Sequence, residues 1–236
     1  PQSFPLPGSP QTQGSALSNV GVAGVTFSYL CGPIPTALIA TWYDAASNGD
    51  ATKMLPGTID SPYLGVILNF QSKFVSISCD NDAGGSCIVD GTERYQVVSI
   101  ADIFLSGGTT TLSGLIIKNG FFNGPGGGLA VLVATVDLIV TSFVDNTTGG
   151  NGGAIWVASG GTVKLQGCAF SGNEASGFGP DIYNEKGDVL LSGCPAAYVE
   201  TQGAALDNIN SGGGDNPGTM TSPAYSYTCV LILTST

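Results

Sequence analysis

The chain has 236 residues, with 6 Lys+Arg against 17 Asp+Glu, no His, 36 Gly, 6 Cys and a net charge of −11. So few cations cannot neutralise a run of phosphates, which excludes nucleic-acid binding; the absence of His removes Ser-His-Asp and Cys-His catalysis and every His-ligated metal site. Charged residues make up 10% of the chain, against about 25% in ordinary globular proteins, yet 42% are apolar, so a core can form.

Residues 1–20 are rich in Pro, Ser, Gln and Gly without periodicity. Residues 1–24 are expected to be an extended tail ahead of a single β domain over 25–236. From Val25 onward, short β-branched or aromatic runs alternate with Gly, Asn, Asp and Pro clusters, the pattern of strands and turns. The predicted strands are Val25–Tyr29, Ala37–Trp42, Val66–Phe70, Phe74–Cys79, Cys87–Val89, Tyr95–Ser99 and Ile103–Leu105. They continue with Thr110–Ile117, Leu129–Val133, Val136–Thr141, Ala154–Val157, Thr162–Cys168, Asp188–Leu191 and Tyr225–Leu233. No stretch shows sustained helical periodicity with caps, so little helix is expected. The longest apolar run, Leu129 to Val140, is broken by Thr135 and Asp137 and falls short of the roughly 18 residues of a membrane helix.

An internal repeat organises the second half. Phe143-Val144-Asp145-Asn146 is followed by Gly152-Gly153-Ala154-Ile155, and Phe170-Ser171-Gly172-Asn173 by Gly179-Pro180-Asp181-Ile182, each a step of 27 residues. A second β run follows each block, Thr162–Cys168 and Asp188–Cys194. A looser copy opens with Leu115–Gly120, then Asn123 and Gly126-Gly127-Gly128-Leu129. A period in the twenties with several short strands describes a coil of parallel strands, one turn per repeat. The predicted fold is an all-β, right-handed parallel β-helix. Equal positions then stack at about 4.8 Å, Phe143 on Phe170, Asn146 on Asn173 and Ile155 on Ile182. The asparagines are expected at a tight corner, where Asn tolerates left-handed angles.

The chain begins Pro1-Gln2-Ser3 without an initiator Met, which reads as a secretory signal already removed and an extracellular or cell-surface protein. The cysteines lack a CxxC pair and suit an oxidising compartment. Cys79 and Cys87 flank a natural disulfide-closed turn, Cys168 and Cys194 occupy equivalent repeat positions, and Cys31 and Cys229 remain near the two ends. Connectivity stays open, since six cysteines allow about 15 arrangements. One glycosylation sequon, Asn146-Thr147-Thr148, reads as part of a surface loop.

At Gly152-Gly153-Ala154-Ile155, Phe143-x-x-Asn146 and Phe170-x-x-Asn173 the chain resembles the family carrying the polymorphic outer-membrane-protein repeat. Gly179-Pro180-Asp181-Ile182-Tyr183-Asn184 resembles its Gly-Gly-Asp-Ile-Tyr-Asn variant, and Cys87–Gly91 and Leu112–Gly120 resemble its opening turns. The similarity spans roughly residues 65–200. It implies a secreted or surface-exposed β-helix; such domains act in adhesion or remain unassigned. The long repeat arrays and C-terminal membrane barrel of the bacterial members find no counterpart in these motifs, so an autotransporter role does not carry over.

Enzymatic β-helices use clustered Asp or exposed cations. Here no Asp-Asp pair occurs, and the available cations are Lys53, Lys73, Arg94, Lys118, Lys164 and Lys186, of which Lys118 and Arg94 could share a face. Asp80-Asn81-Asp82 could ligate Ca²⁺, but reads better as an Asx-rich turn. Thr109-Thr110-Thr111 runs along one strand instead of forming a column across repeats, so an ice-matching Thr array is not expected. No enzyme activity, cofactor or membrane insertion is expected. The function read from the sequence is that of a non-enzymatic extracellular structural protein, a self-associating subunit of a surface coat, fibre or adhesive. Phe4, Leu6, Leu231 and Leu233 are the assembly candidates, and residues 1–20 an intersubunit clasp. The alternative is a monomeric carbohydrate-binding or polysaccharide-cleaving β-helix, presenting Trp42, Tyr63, Tyr95 or Trp156 to sugar rings.

Overall fold

The structure is a computed structural model and describes residues 39–60, 65–71, 73–102, 107–192, 199–201 and 209–211. Helix α1 (Ile39–Ala45) leads into a winding of short strands. The first turn holds β1 (Ala51–Met54), β2 (Gly57–Ile59) and β3 (Val66–Gln71); the second holds β4 (Ser76–Cys79), β5 (Cys87–Asp90) and β6 (Gln96–Ala101). Three four-stranded turns follow. They are β7 (Thr109–Ser113), β8 (Leu115–Lys118), β9 (Phe121–Phe122) and β10 (Leu129–Leu132); β11 (Thr135–Ile139), β12 (Ser142–Val144), β13 (Thr147–Thr148) and β14 (Ile155–Val157); and β15 (Thr162–Gln166), β16 (Ala169–Ser171), β17 (Glu174–Ala175) and β18 (Ile182–Asn184). The strands β19 (Asp188–Ser192), β20 (Val199–Thr201) and β21 (Ile209–Ser211) continue the stack.

Every strand pairs in parallel with its equivalent one turn away. The result is a β-solenoid of about five turns with four longitudinal sheets. The seven-stranded sheet runs β1-β4-β7-β11-β15-β19-β21, the six-stranded sheet β20-β18-β14-β10-β6-β3, the five-stranded sheet β16-β12-β8-β5-β2 and the three-stranded sheet β17-β13-β9.

Because strand side chains alternate in direction, each sheet sends columns of apolar residues inward. Ile77, Leu112, Leu138, Leu165 and Leu191 form one column in the seven-stranded sheet, and Leu68, Val98, Leu129, Ile155 and Ile182 face them from the six-stranded sheet. All are buried, each contributing about 1.5–3 kcal/mol relative to exposure. The predicted Phe stack forms: the Phe143 and Phe170 rings lie 5.3 Å apart and nearly parallel, at 7°.

Two features depart from the sequence reading. The predicted strand Ala37–Trp42 overlaps α1. Ile39, Trp42, Tyr43 and Ala46 fall at i, i+3, i+4 and i+7, one face of a helix, and all pack on or within the core. The Tyr43 ring meets Phe70 edge-on at 4.9 Å and its hydroxyl donates to Gln71 O, while Lys73 Nζ donates to the carbonyls of Tyr43 and Asp44 at the helix end. The predicted strand Thr110–Ile117 is two strands, β7 and β8, separated by Gly114 at φ 69°. In register above Gly114 stand Val140 (φ 49°) and Gly167 (φ 63°), so one left-handed residue per turn makes this corner. The strands expected at Val25–Tyr29, Ile103–Leu105 and Tyr225–Leu233, the N-terminal tail and the start of the β domain lie outside the described residues.

Candidate functional site

The most constrained polar constellation is the corner between the five- and three-stranded sheets. Asn146 is fully buried and Asn173 is 8% exposed. Asn146 Nδ2 donates to Ile117 O at 3.1 Å and to Asn173 Oδ1 at 3.0 Å, and its Oδ1 accepts the Gly120 N–H at 3.0 Å. Asn173 repeats the arrangement one turn on: its Nδ2 donates to Phe143 O at 3.1 Å, and its Oδ1 accepts the Asn146 N–H at 3.1 Å. An amide supplies both donors and an acceptor, which is what a corner with unpaired backbone groups on both sides requires.

This geometry corrects two expectations. The left-handed residues here are Asn119 (φ 51°), Asp145 (φ 53°) and Gly172 (φ 67°), one position before the ladder, so Asn146 and Asn173 serve by hydrogen bonding and not by backbone tolerance. The sequon is not a surface loop. The Asn146 amide is buried with both hydrogens committed, so a glycan on Nδ2 is incompatible with this corner. In the earlier copy the register places Gly120, not Asn123, opposite Asn146.

Lys53, Lys118 and Lys164 are ion-paired. Lys118 Nζ lies 3.2 Å from Asp90 Oδ2, and Asn119 Nδ2 donates to the same carboxylate. Burial alone would push the Asp90 carboxyl up; hydrogen bonds from the Thr92 N–H, the Asn119 amide and Lys118 outweigh it and hold the group below its ordinary value. Arg94 is exposed in the turn before β6. Lys53 Nζ stands 3.8 Å from Asp80 and 3.9 Å from Asp82, giving that turn its own counter-charge. Among the described residues no three His, Cys, Asp or Glu side chains group as metal ligands.

Of the cysteines, Cys79 and Cys87 form the predicted disulfide, with Cα atoms 5.6 Å apart. Cys168 is buried, and its thiol donates to Leu138 O at 3.4 Å. Cys31, Cys194 and Cys229 lie outside the described residues, as do Phe4, Leu6, Leu231, Leu233 and Tyr63.

The outer face of the seven-stranded sheet carries small polar side chains. Thr109, Thr135 and Thr162 stack in register, a column across repeats that the sequence reading did not expect. Asp188 ends this column, and the neighbouring one contains Asp137 and Lys164, paired at 3.6 Å. The candidate sugar-stacking aromatics do not share a groove: Trp42 and Tyr95 pack against the core. Trp156 instead stands beside Tyr183 on the outside of the six-stranded sheet, and the exposed Phe178 ring stacks on Tyr183 at 6.3 Å.

No helix among the described residues is long and apolar enough to cross a membrane. Comparison with protein-family models, curated proteins and solved structures returned no match. The chain is a parallel β-solenoid. That assignment rests on the 26- and 27-residue steps of its own ladders.

Proposed function

We propose that the protein is a non-enzymatic extracellular structural subunit that self-associates into a coat, fibre or adhesive layer. The observation that supports this reading best is that all four sheets are parallel ladders along one axis. A ladder of this kind extends by adding strands in register, and an end strand is a template for another chain. Contacts that repeat head to tail without closing produce filaments. The Cys79–Cys87 disulfide suits an oxidising exterior. The Phe-x-x-Asn and Gly-Gly-Ala-Ile elements support kinship with the polymorphic outer-membrane-protein repeat, read as a right-handed, secreted variant.

With a net charge of −11, the subunits repel one another, so assembly should strengthen as salt is raised. The test is sedimentation and electron microscopy of the full chain over a concentration and salt series. Fibres or sheets that grow with both support the proposal, and deletion of residues 1–15 should abolish them. A strict monomer under all conditions overturns it. A monomer that depletes onto insoluble polysaccharide would favour the carbohydrate-binding alternative.

A further inference from the structure

The chain contains four Asn-Gly dipeptides: Asn48-Gly49, Asn119-Gly120, Asn123-Gly124 and Asn151-Gly152. In this dipeptide the glycine nitrogen, unhindered by a Cβ, can attack the asparagine side-chain carbonyl carbon. A C–N bond closes a succinimide ring, Nδ2 leaves as ammonia with the proton lost from the glycine amide, and water then opens the ring to aspartate or isoaspartate. Water is the only co-reactant. The step needs a glycine N–H free of hydrogen bonds and a side-chain amide free to swing toward it.

The solenoid removes both freedoms at three of the four sites. Asn48 Oδ1 accepts the Phe74 N–H at 3.2 Å while the Gly49 N–H donates to Phe74 O at 2.8 Å. Asn119 Nδ2 is held by Asp90 at 3.0 and 3.2 Å while the Gly120 N–H donates to Asn146 Oδ1. Asn151 Oδ1 accepts the Phe178 N–H at 2.9 Å while the Gly152 N–H donates to Phe178 O at 2.9 Å. Asn123 differs. It is exposed, and among the described residues neither its amide nor the Gly124 N–H makes a hydrogen bond.

We propose that Asn123 is a built-in site of spontaneous deamidation, selected over three identical dipeptides by the hydrogen bonding of the corners. The product has a structural consequence. The Asn123 backbone lies against Gly149, where an added Cβ would come within 3.0 Å of Asn123 O, and the Gly149 N–H donates to Phe122 O at 2.8 Å. Gly124 O accepts the Thr148 hydroxyl. Isoaspartate inserts a methylene into the backbone between these two pairings, so it should loosen the stacking of β9 on β13.

The experiment is peptide mapping by mass spectrometry during incubation of the folded full chain at mildly alkaline pH, with the chain in denaturant as reference. In denaturant all four sites should convert at similar rates. In the folded protein Asn123 should convert at least about tenfold faster than any other, the factor that corresponds to breaking one net hydrogen bond at a locked site. Gly124→Ala should slow Asn123 alone. Equal rates at the four folded sites, a faster locked site, or an Asn123 that stays intact while the denatured chain converts would each overturn the proposal.

Discussion

Replacing Asn146 tests the buried corner most directly. Asn146→Ala deletes three side-chain hydrogen bonds, of 3.0, 3.0 and 3.1 Å, at a residue with no exposed surface. Asn173 Oδ1 keeps a donor in the Asn146 N–H, but the Gly120 N–H and Ile117 O lose their side-chain partner. An orphaned buried polar group costs about 1–3 kcal/mol, so the expected loss is about 3–5 kcal/mol. Asn146→Asp keeps the shape and still accepts from Gly120, yet it points a carboxylate oxygen at two acceptors, Ile117 O and Asn173 Oδ1. At neutral pH it should therefore be worse than Ala. Burial and these acceptors raise the carboxyl's folded pKa above its unfolded value, so its deficit shrinks as pH falls, when the protonated oxygen donates again. Urea titrations followed by circular dichroism across pH measure both effects. A loss below about 1 kcal/mol for Asn146→Ala, or an Asn146→Asp variant indifferent to acid, would refute the reasoning.

Three further outcomes follow from the geometry. Val140 is 63% exposed at φ 49° in a column whose neighbours are Gly114 and Gly167. A left-handed valine costs about 1–2 kcal/mol, so Val140→Gly should raise the thermal midpoint, and a lowered midpoint counts against that strain. A Cβ on Gly153 would sit 2.5 Å from Glu174 O and closer still to Pro180 O, whereas one on Gly161 meets its nearest neighbours, the carbonyls of Ala158 and Val131, at 3.1 Å. Neither glycine is left-handed, so Gly153→Ala should cost more than Gly161→Ala in denaturant midpoint, and equal losses would contradict the stacking distances. Asp90 has a folded pKa below its unfolded value, so its contribution is complete above the unfolded pKa of about 4 and lost as pH falls through the lowered one. In Asp90→Asn that acid-sensitive part of the stability profile should vanish; an unchanged acid limb would show that Asp90 does not supply it.

The turns that carry Phe143, Asn146, Phe170 and Asn173 were legible because their spacing is regular, with ladder steps of 26 or 27 residues. In the first two turns the repeat was not legible, although β3 to β6 fall on predicted strands. Ala51 pairs with Ser76 and Gly57 with Cys87, steps of 25 and 30, so a fixed period fails and β1 and β2 passed as turn sequence. Helix α1 was misread because Ile39, Trp42 and Tyr43 are also strand formers; the i, i+3, i+4, i+7 spacing with Ala46 was the discriminating signal. The Thr column escaped because Thr135 and Thr162 are isolated in sequence and meet Thr109 only through the winding. The sequon misled for a physical reason. Asn suggests exposure, but an Asn recurring at one repeat position stacks on its equivalent, and here the stack is internal.

The asparagine corner also has a direction. Asn146 Oδ1 takes up the free N–H of Gly120 in the preceding turn and Nδ2 the carbonyl of Ile117; Asn173 does the same for Asn146 and Phe143. Each asparagine thus closes the corner of the turn before its own, and a turn is finished only by its successor. A chain emerging N-terminus first can therefore complete itself in the order of its synthesis, each coil sealed when the next is laid upon it.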